Sequence, residues 1–131
     1  MKLPKEKTYK QLIKELDSAY SKYIRQKDAD DNGQVKCYTC DKVKHWKSID
    51  CGHYISRRHL STRYYEKNTK PQCKGCNIFK EGNKPVFALE LIKEYGKDVL
   101  EELDSLSHIK IKYDRNKLSN MIMYYKKKDK L

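Results

Sequence analysis

Cys37-Tyr-Thr-Cys40 and Cys73-Lys-Gly-Cys76 are two CxxC knuckles separated by 32 residues. Together they offer four thiolates at the spacing that closes a tetrahedron around Zn²⁺. A redox dithiol is the competing reading, but it needs one CxxC to open a helix in a βαβ unit, and no such unit is legible. Disulfides are a poor account as well. The N-terminus MKLPKEKTYK never becomes continuously apolar, so no secretory signal is readable and a reducing, cytoplasmic setting is expected. The gap between the knuckles exceeds that of an ordinary zinc ribbon. An inserted segment is therefore held at both ends by the metal, and it is the place to look for chemistry.

The chain as a whole has 131 residues, 37% charged and 37% apolar, with 30 Lys and Arg against 18 Asp and Glu, a net charge of +12. No apolar run approaches the ~20 residues needed to span a bilayer. Eleven Tyr, one Trp and five Cys are too many core-formers and ligands for a disordered chain, and there is too little apolar material for two cores. One domain over residues 1–131 is expected, with an N-terminal helix and acidic turn (1–33), a zinc-bound centre (34–83) and C-terminal helices (84–131). The charge favours a polyanionic partner, nucleic acid before an anionic membrane surface. Interleaved Tyr54, Arg57, Arg58, Arg63, Tyr64 and Tyr65 strengthen the first choice: Arg forks onto phosphate, and Tyr stacks on bases or sugars.

Leu12, Leu16, Ala19, Tyr20, Tyr23 and Ile24 recur at helical spacing and predict a helix over residues 8–27. Asp28-Ala-Asp-Asp-Asn-Gly33 ends it. That cluster resembles the start of a calcium loop, but Thr39 stands where the bidentate Glu is needed, so an acidic turn is expected. A hairpin is predicted through Val35–Tyr38 and Val43–Trp46 with the first knuckle at its tip, then a strand near Tyr54 and Ile55, then a basic loop over 57–72. A short helix from Cys76 to Lys80 stops at Gly82. Asn83 is expected to cap a helix with Pro85 in its first turn. Val99 to Leu106 suggests another helix, and Asp114 caps a last one. The tail Lys126–Lys130 is expected to be solvated and frayed.

Within the insert, His53 follows Asp50-Cys-Gly, Asn68 comes next, and Asn77 directly follows the last knuckle cysteine. A neutral imidazole can take a proton from water. An Asn carbonyl oxygen is a hard neutral donor suited to Mg²⁺. Gly52 leaves room for a phosphate or another backbone to come close. Cys51 has no partner in the pattern and is expected to be a small buried residue. Singly, each has a plain structural alternative: a strand His, a turn Asn, a helix-capping Asn.

The order CxxC, Gly52-His-Tyr-Ile-Ser-Arg57, Asn68, Gln72-Cys-Lys-Gly-Cys-Asn77 resembles the HNH, or ββα-metal (His-Me finger), nucleases. It is more narrowly similar to the phage lambda NinG (Rap) recombination endonuclease family, through Tyr23-Ile-Arg25, Thr62-Arg-Tyr, Glu66-Lys-Asn68, Gly82-Asn83 and Tyr95-Gly96. The resemblance spans roughly residues 20–103. It implies an α+β fold: a ββα-metal core with structural zinc knuckles, flanked by N- and C-terminal helices. It further implies an endonuclease that hydrolyses branched recombination DNA such as Holliday junctions or D-loops, acting in the host cytoplasm if phage-encoded.

By position, the resemblance makes His53 the general base and Asn68 the residue that sets the loop and the His. Asn77 becomes a ligand of a catalytic Mg²⁺ or Mn²⁺, and Cys37, Cys40, Cys73 and Cys76 the structural zinc ligands. Many HNH enzymes place an acidic ligand just before the His, where this chain has Gly52. Its Asp50-Cys-Gly-His53 order resembles the Asp-Arg-Gly-His signature of the non-specific ββα-metal nucleases and gives Asp50 a supporting role. Arg57, Arg58 and Arg63 would contact DNA, and a homodimer would suit symmetrical junction cutting. A zinc-stabilised nucleic-acid-binding module without catalysis is the main alternative, and a protein-interaction zinc domain a third.

Overall fold

The computed structural model describes residues 6–130. Residues 1–5 and 131, which the expected N- and C-terminal segments include, lie outside them. The chain is a small mixed α+β protein built from five helices and two two-stranded antiparallel sheets among the described residues.

The first helix, α1 (Tyr9–Gln26), starts where Thr8 accepts from the Gln11 N–H while the Gln11 side chain accepts from the Thr8 N–H, a reciprocal cap. It buries Leu12, Leu16, Ala19, Tyr20 and Ile24, the stripe its periodicity predicts. The acidic turn after it is an acidic turn: one Asp30 carboxylate oxygen accepts from the backbone N–H groups of Asn32 and Gln34.

Strands β1 (Gln34–Lys36) and β2 (Val43–His45) form the expected hairpin, with Cys37 and Cys40 in its connection. The next strand corrects the expectation. It is β3 (Asp50–His53), ending before Tyr54 and Ile55. At Ile55 the pairing is taken over by a side chain. The Asn68 amide accepts from the Ile55 N–H and donates to its C=O, imitating a neighbouring strand.

The expected loop over 57–72 is also overturned. It holds α2 (Leu60–Arg63), a 3-10 turn at Glu66–Asn68, and β4 (Thr69–Gln72), which pairs antiparallel with β3: Asp50 faces Gln72 and His53 faces Thr69. Thr-Lys-Pro-Gln carries no strand signal, yet all four residues are buried. Specific partners make this tolerable. Thr69 Oγ1 bonds the Tyr20 hydroxyl at 2.7 Å, Lys70 meets Glu94 at 3.0 Å, and the Gln72 amide donates to Thr39 and to the Gly82 carbonyl.

A π-helical turn, Gly75–Phe79, follows the second knuckle, and then come α3 (Lys84–Tyr95), α4 (Val99–Ser107) and α5 (Arg115–Lys126). Asp114 caps α5 as expected. Asn83 does not cap α3. Its backbone is left-handed, and its amide donates instead to the Thr39 carbonyl and the Cys76 sulfur. The C-terminal tail is anchored rather than frayed: the Lys130 N–H donates to Gln26, and Asp129 pairs with Lys22 at 2.7 Å.

Three apolar clusters result among the described residues. One lies between α1, α5 and Tyr64, one around the knuckles with Val35 and Ile49, and one between α3 and α4 with Phe87 fully buried.

Gly52 does leave room, but it is the Gln72 side chain that fills it. A Cβ at position 52 would stand 1.9 Å from Gln72 Oε1 and 2.7 Å from its Cδ. Gln72 is fully buried and bonded at its amide nitrogen, so it cannot swing aside without breaking those bonds. Gly52→Ala is therefore expected to cost about 2–4 kcal/mol, overpacking plus at least one lost buried hydrogen bond. Denaturant unfolding measures it, and a variant as stable as the parent would refute this packing.

Candidate functional site

The four knuckle cysteines come together. One sulfur from each of Cys37, Cys40, Cys73 and Cys76 lies within 4.8 Å of all the others. Zn–S bonds of ~2.3 Å in a tetrahedron ask for sulfurs about 3.8 Å apart. The Cys73 N–H donates to the Cys37 sulfur at 3.2 Å, and the Asn83 amide approaches the Cys76 sulfur. These are the N–H donors that a cluster of negative thiolates needs. The donor set, spacing and surroundings fit a zinc ion.

Beside the knuckles a cleft of about 290 Å³ opens between α1 and β3. His53, Cys51 and Asp50 line it from β3, Asp17 and Arg25 from α1, and Arg57 and Tyr64 from the following segment. Ile49, part of the knuckle cluster, forms another wall.

His53 has a defined tautomer. Its Nε2 lies 3.0 Å from the Arg63 carbonyl oxygen, which can only accept, so Nε2 carries the proton. Nδ1 bonds no described residue and keeps its lone pair. Burial holds the imidazole below its ordinary pKa. The Arg63 carbonyl works against this, and the charges of Arg57 and Arg63 add to the lowering. The ring is thus neutral at pH 7 and able to accept a proton at Nδ1.

Asn68 is wholly buried, and its amide group also donates to the Thr62 carbonyl. It touches no solvent and staples the 54–62 loop, which carries the His53 environment. Asn77 is half-buried. Its Nδ2 donates to Asp50 Oδ2 at 3.1 Å, and Lys74 holds the other Asp50 oxygen at 2.7 Å. Asn77 Oδ1 accepts from no described residue. Asp50 therefore joins the cleft to the helical turn after the knuckle. Cys51 is half-buried in the cleft rather than enclosed, and burial pushes its thiol up to about 12, which keeps it protonated.

Arg57 and Arg63 are not free cations. Both bond Asp17, Arg63 through two nitrogens, and the Tyr64 hydroxyl donates to the same carboxylate. Burial alone would raise the Asp17 pKa, but the bonds from Arg63 and Tyr64 outweigh it and hold the carboxylate below its usual range. Through Arg63, α1 fixes the carbonyl that orients His53. Arg58 is exposed and reaches only His59.

Asp17 and Arg25 carried no assigned role in the sequence. The usable signal was there: Asp17, Ser21 and Arg25 recur every fourth residue, a polar stripe flanking the apolar face of α1.

The sequence profile of the bacteriophage lambda NinG protein family matches the chain over residues 1–131. The chain belongs to the NinG family. NinG proteins of Escherichia phage lambda and Escherichia phage 933W are each 31% identical to it over 96 residues, and that of Salmonella phage P22 is 30% identical over 96. Each match covers 71% of this chain and 44% of the relative, so this chain spans less than half the length of these NinG proteins. No solved structure gives a significant match. Among the described residues no helix is long and apolar enough to cross a membrane.

Proposed function

We propose that this NinG-family chain is a metal-dependent endonuclease of the ββα-metal type that hydrolyses phosphodiester bonds in branched DNA. The observation that carries the reading is one cleft lined by a neutral, oriented His53 and by Asp50, with Asp50 bonded to Asn77. The order β3, β4, helical turn, with the His on the first strand and the Asn on the turn, supports it, as does the net charge of +12.

In this reading Nδ1 of His53 takes a proton from the attacking water while the Arg63 carbonyl holds the ring. Asn68 keeps the loop, and with it that carbonyl, in place. Asn77 Oδ1 and Asp50 would hold a largely hydrated Mg²⁺ or Mn²⁺. Two hard oxygens fit such an ion, which supplies charge neutralisation at the phosphate and the leaving oxygen. The four cysteines would hold zinc and set the position of Asn77, one residue beyond Cys76. Products carry 5′-phosphate and 3′-hydroxyl ends.

The test is a cleavage assay on a four-way junction, a flap and linear duplex, with Mg²⁺ and with chelator. Mg²⁺-dependent cutting that favours the branched substrates is the expected result. Intact DNA on every substrate would leave a zinc-stabilised binding module.

A pH prediction follows from the imidazole. Only neutral His53 can act as base, and its pKa is lowered from 6.5. Cleavage should fall on acidification with a midpoint below 6.5. A midpoint above 7 would show that another group limits the rate.

A further inference from the structure

Arg25 faces the same cleft from α1. Its Nε donates to the carbonyl and hydroxyl of Ser21, and one terminal nitrogen donates to the Trp46 carbonyl at 2.9 Å. The guanidinium lies 5.5 Å from the Trp46 ring centroid. The other terminal nitrogen bonds no described residue, and no described carboxylate comes within 4.0 Å. This sets it apart from Arg57 and Arg63, whose charges Asp17 already meets. Asp50, on the same cleft, acts on Arg25 only through its field and forms no ion pair with it. A half-buried cation with no ion pair of its own, held rigid in a cleft that a proton acceptor also lines, is arranged for an anion that arrives from outside.

We propose that Arg25 binds the non-bridging oxygens of the scissile phosphodiester. It holds the phosphate in the cleft that His53 also lines, and Trp46 keeps its guanidinium in place. This rests on the nuclease reading above and names the residue that recognises the phosphate.

Two measurements separate failure of this assignment from failure of that reading. In single-turnover cleavage of a branched DNA with Mg²⁺, Arg25→Ala should lower the rate by about 10²–10³-fold, as loss of a transition-state donor does. DNA affinity should change by less than about threefold, because many other cations contact the backbone. Added methylguanidinium should restore part of the loss. Arg25→Lys keeps charge and stem but not the fork, so it should still lose about tenfold or more; it decides the matter if the alanine variant does not fold. A folded variant that cuts at the parental rate, or whose loss is entirely weaker binding, overturns the proposal.

The second measurement needs no activity. Trp46 is the only tryptophan of the chain, so inorganic phosphate at millimolar concentration should alter its fluorescence in the parent and not in Arg25→Lys. If the parent cuts no DNA but shows this Arg25-dependent response, the anion site stands and the nuclease reading falls. If it shows neither, both fall.

Discussion

His53→Ala is expected to lower the single-turnover rate of the proposed branched-DNA cleavage by about 10²–10⁴-fold, the usual contribution of a general base, while DNA affinity should stay within about threefold. The two readouts part because His53 contributes little to binding. It is mostly buried and neutral at pH 7, and among the described residues its imidazole bonds only the Arg63 carbonyl. What is lost is the acceptor at Nδ1. The change also removes a side chain that bridges β3 to the end of α2, so the melting temperature must be checked to separate a slower reaction from a smaller folded fraction. A folded His53→Ala protein that cuts as fast as the parent removes His53 from the mechanism, and with it the reason for assigning Asp50 and Asn77 to a metal.

The other large effect falls on folding. Cys73→Ser, or removal of zinc by a strong chelator, should abolish the cooperative transition. Apparent zinc-binding free energies in small Cys-rich sites are about 10–16 kcal/mol, whereas domains of this size hold only about 5–15 kcal/mol in total. The structure explains why so little would remain. The cluster around the knuckles consists of Val35, Ile49 and three of the cysteines themselves, with Cys40, Ala29 and Trp46 packed against it. Without metal, four thiols would have to hold the ends of a 32-residue insert with almost no apolar surface of their own. Circular dichroism through a thermal ramp, with zinc content by atomic absorption, reads the outcome. A metal-free protein that melts cooperatively would mean that the cysteines are not a folding element.

Much of this architecture is legible in the sequence because it follows local rules. The α1 stripe, the hairpin and the Asp114 cap each need only a few neighbouring residues, and the two CxxC motifs announce a shared metal by residue type although 32 residues part them. The cleft was half legible. His53, Asp50 and Asn77 lie on elements whose order along the chain carries the resemblance. Arg57 and Arg63 were recognised as basic residues, but their engagement with Asp17 spans some 40 positions of sequence, which no local pattern reports. The β4 strand was missed for the same reason. Thr69, Lys70 and Gln72 are polar residues that become acceptable in a buried strand only once Tyr20, Glu94 and Thr39 have arrived from elsewhere. Asn83 shows the reverse failure: a residue well suited to a local cap is used instead for a distant carbonyl and a sulfur.

That same strand ties the molecule's fate together. In four consecutive residues it reaches Tyr20 of the α1–α5 cluster, Glu94 on the α3–α4 pair, and Tyr38 and Thr39 at the first knuckle. None of the three clusters can come apart without unseating a partner of the other two. An incompletely assembled chain therefore has no half-formed cleft to offer. Under the proposed nuclease function this would be a safeguard in its own right: the nascent polypeptide would cut nothing until α5 has docked on α1.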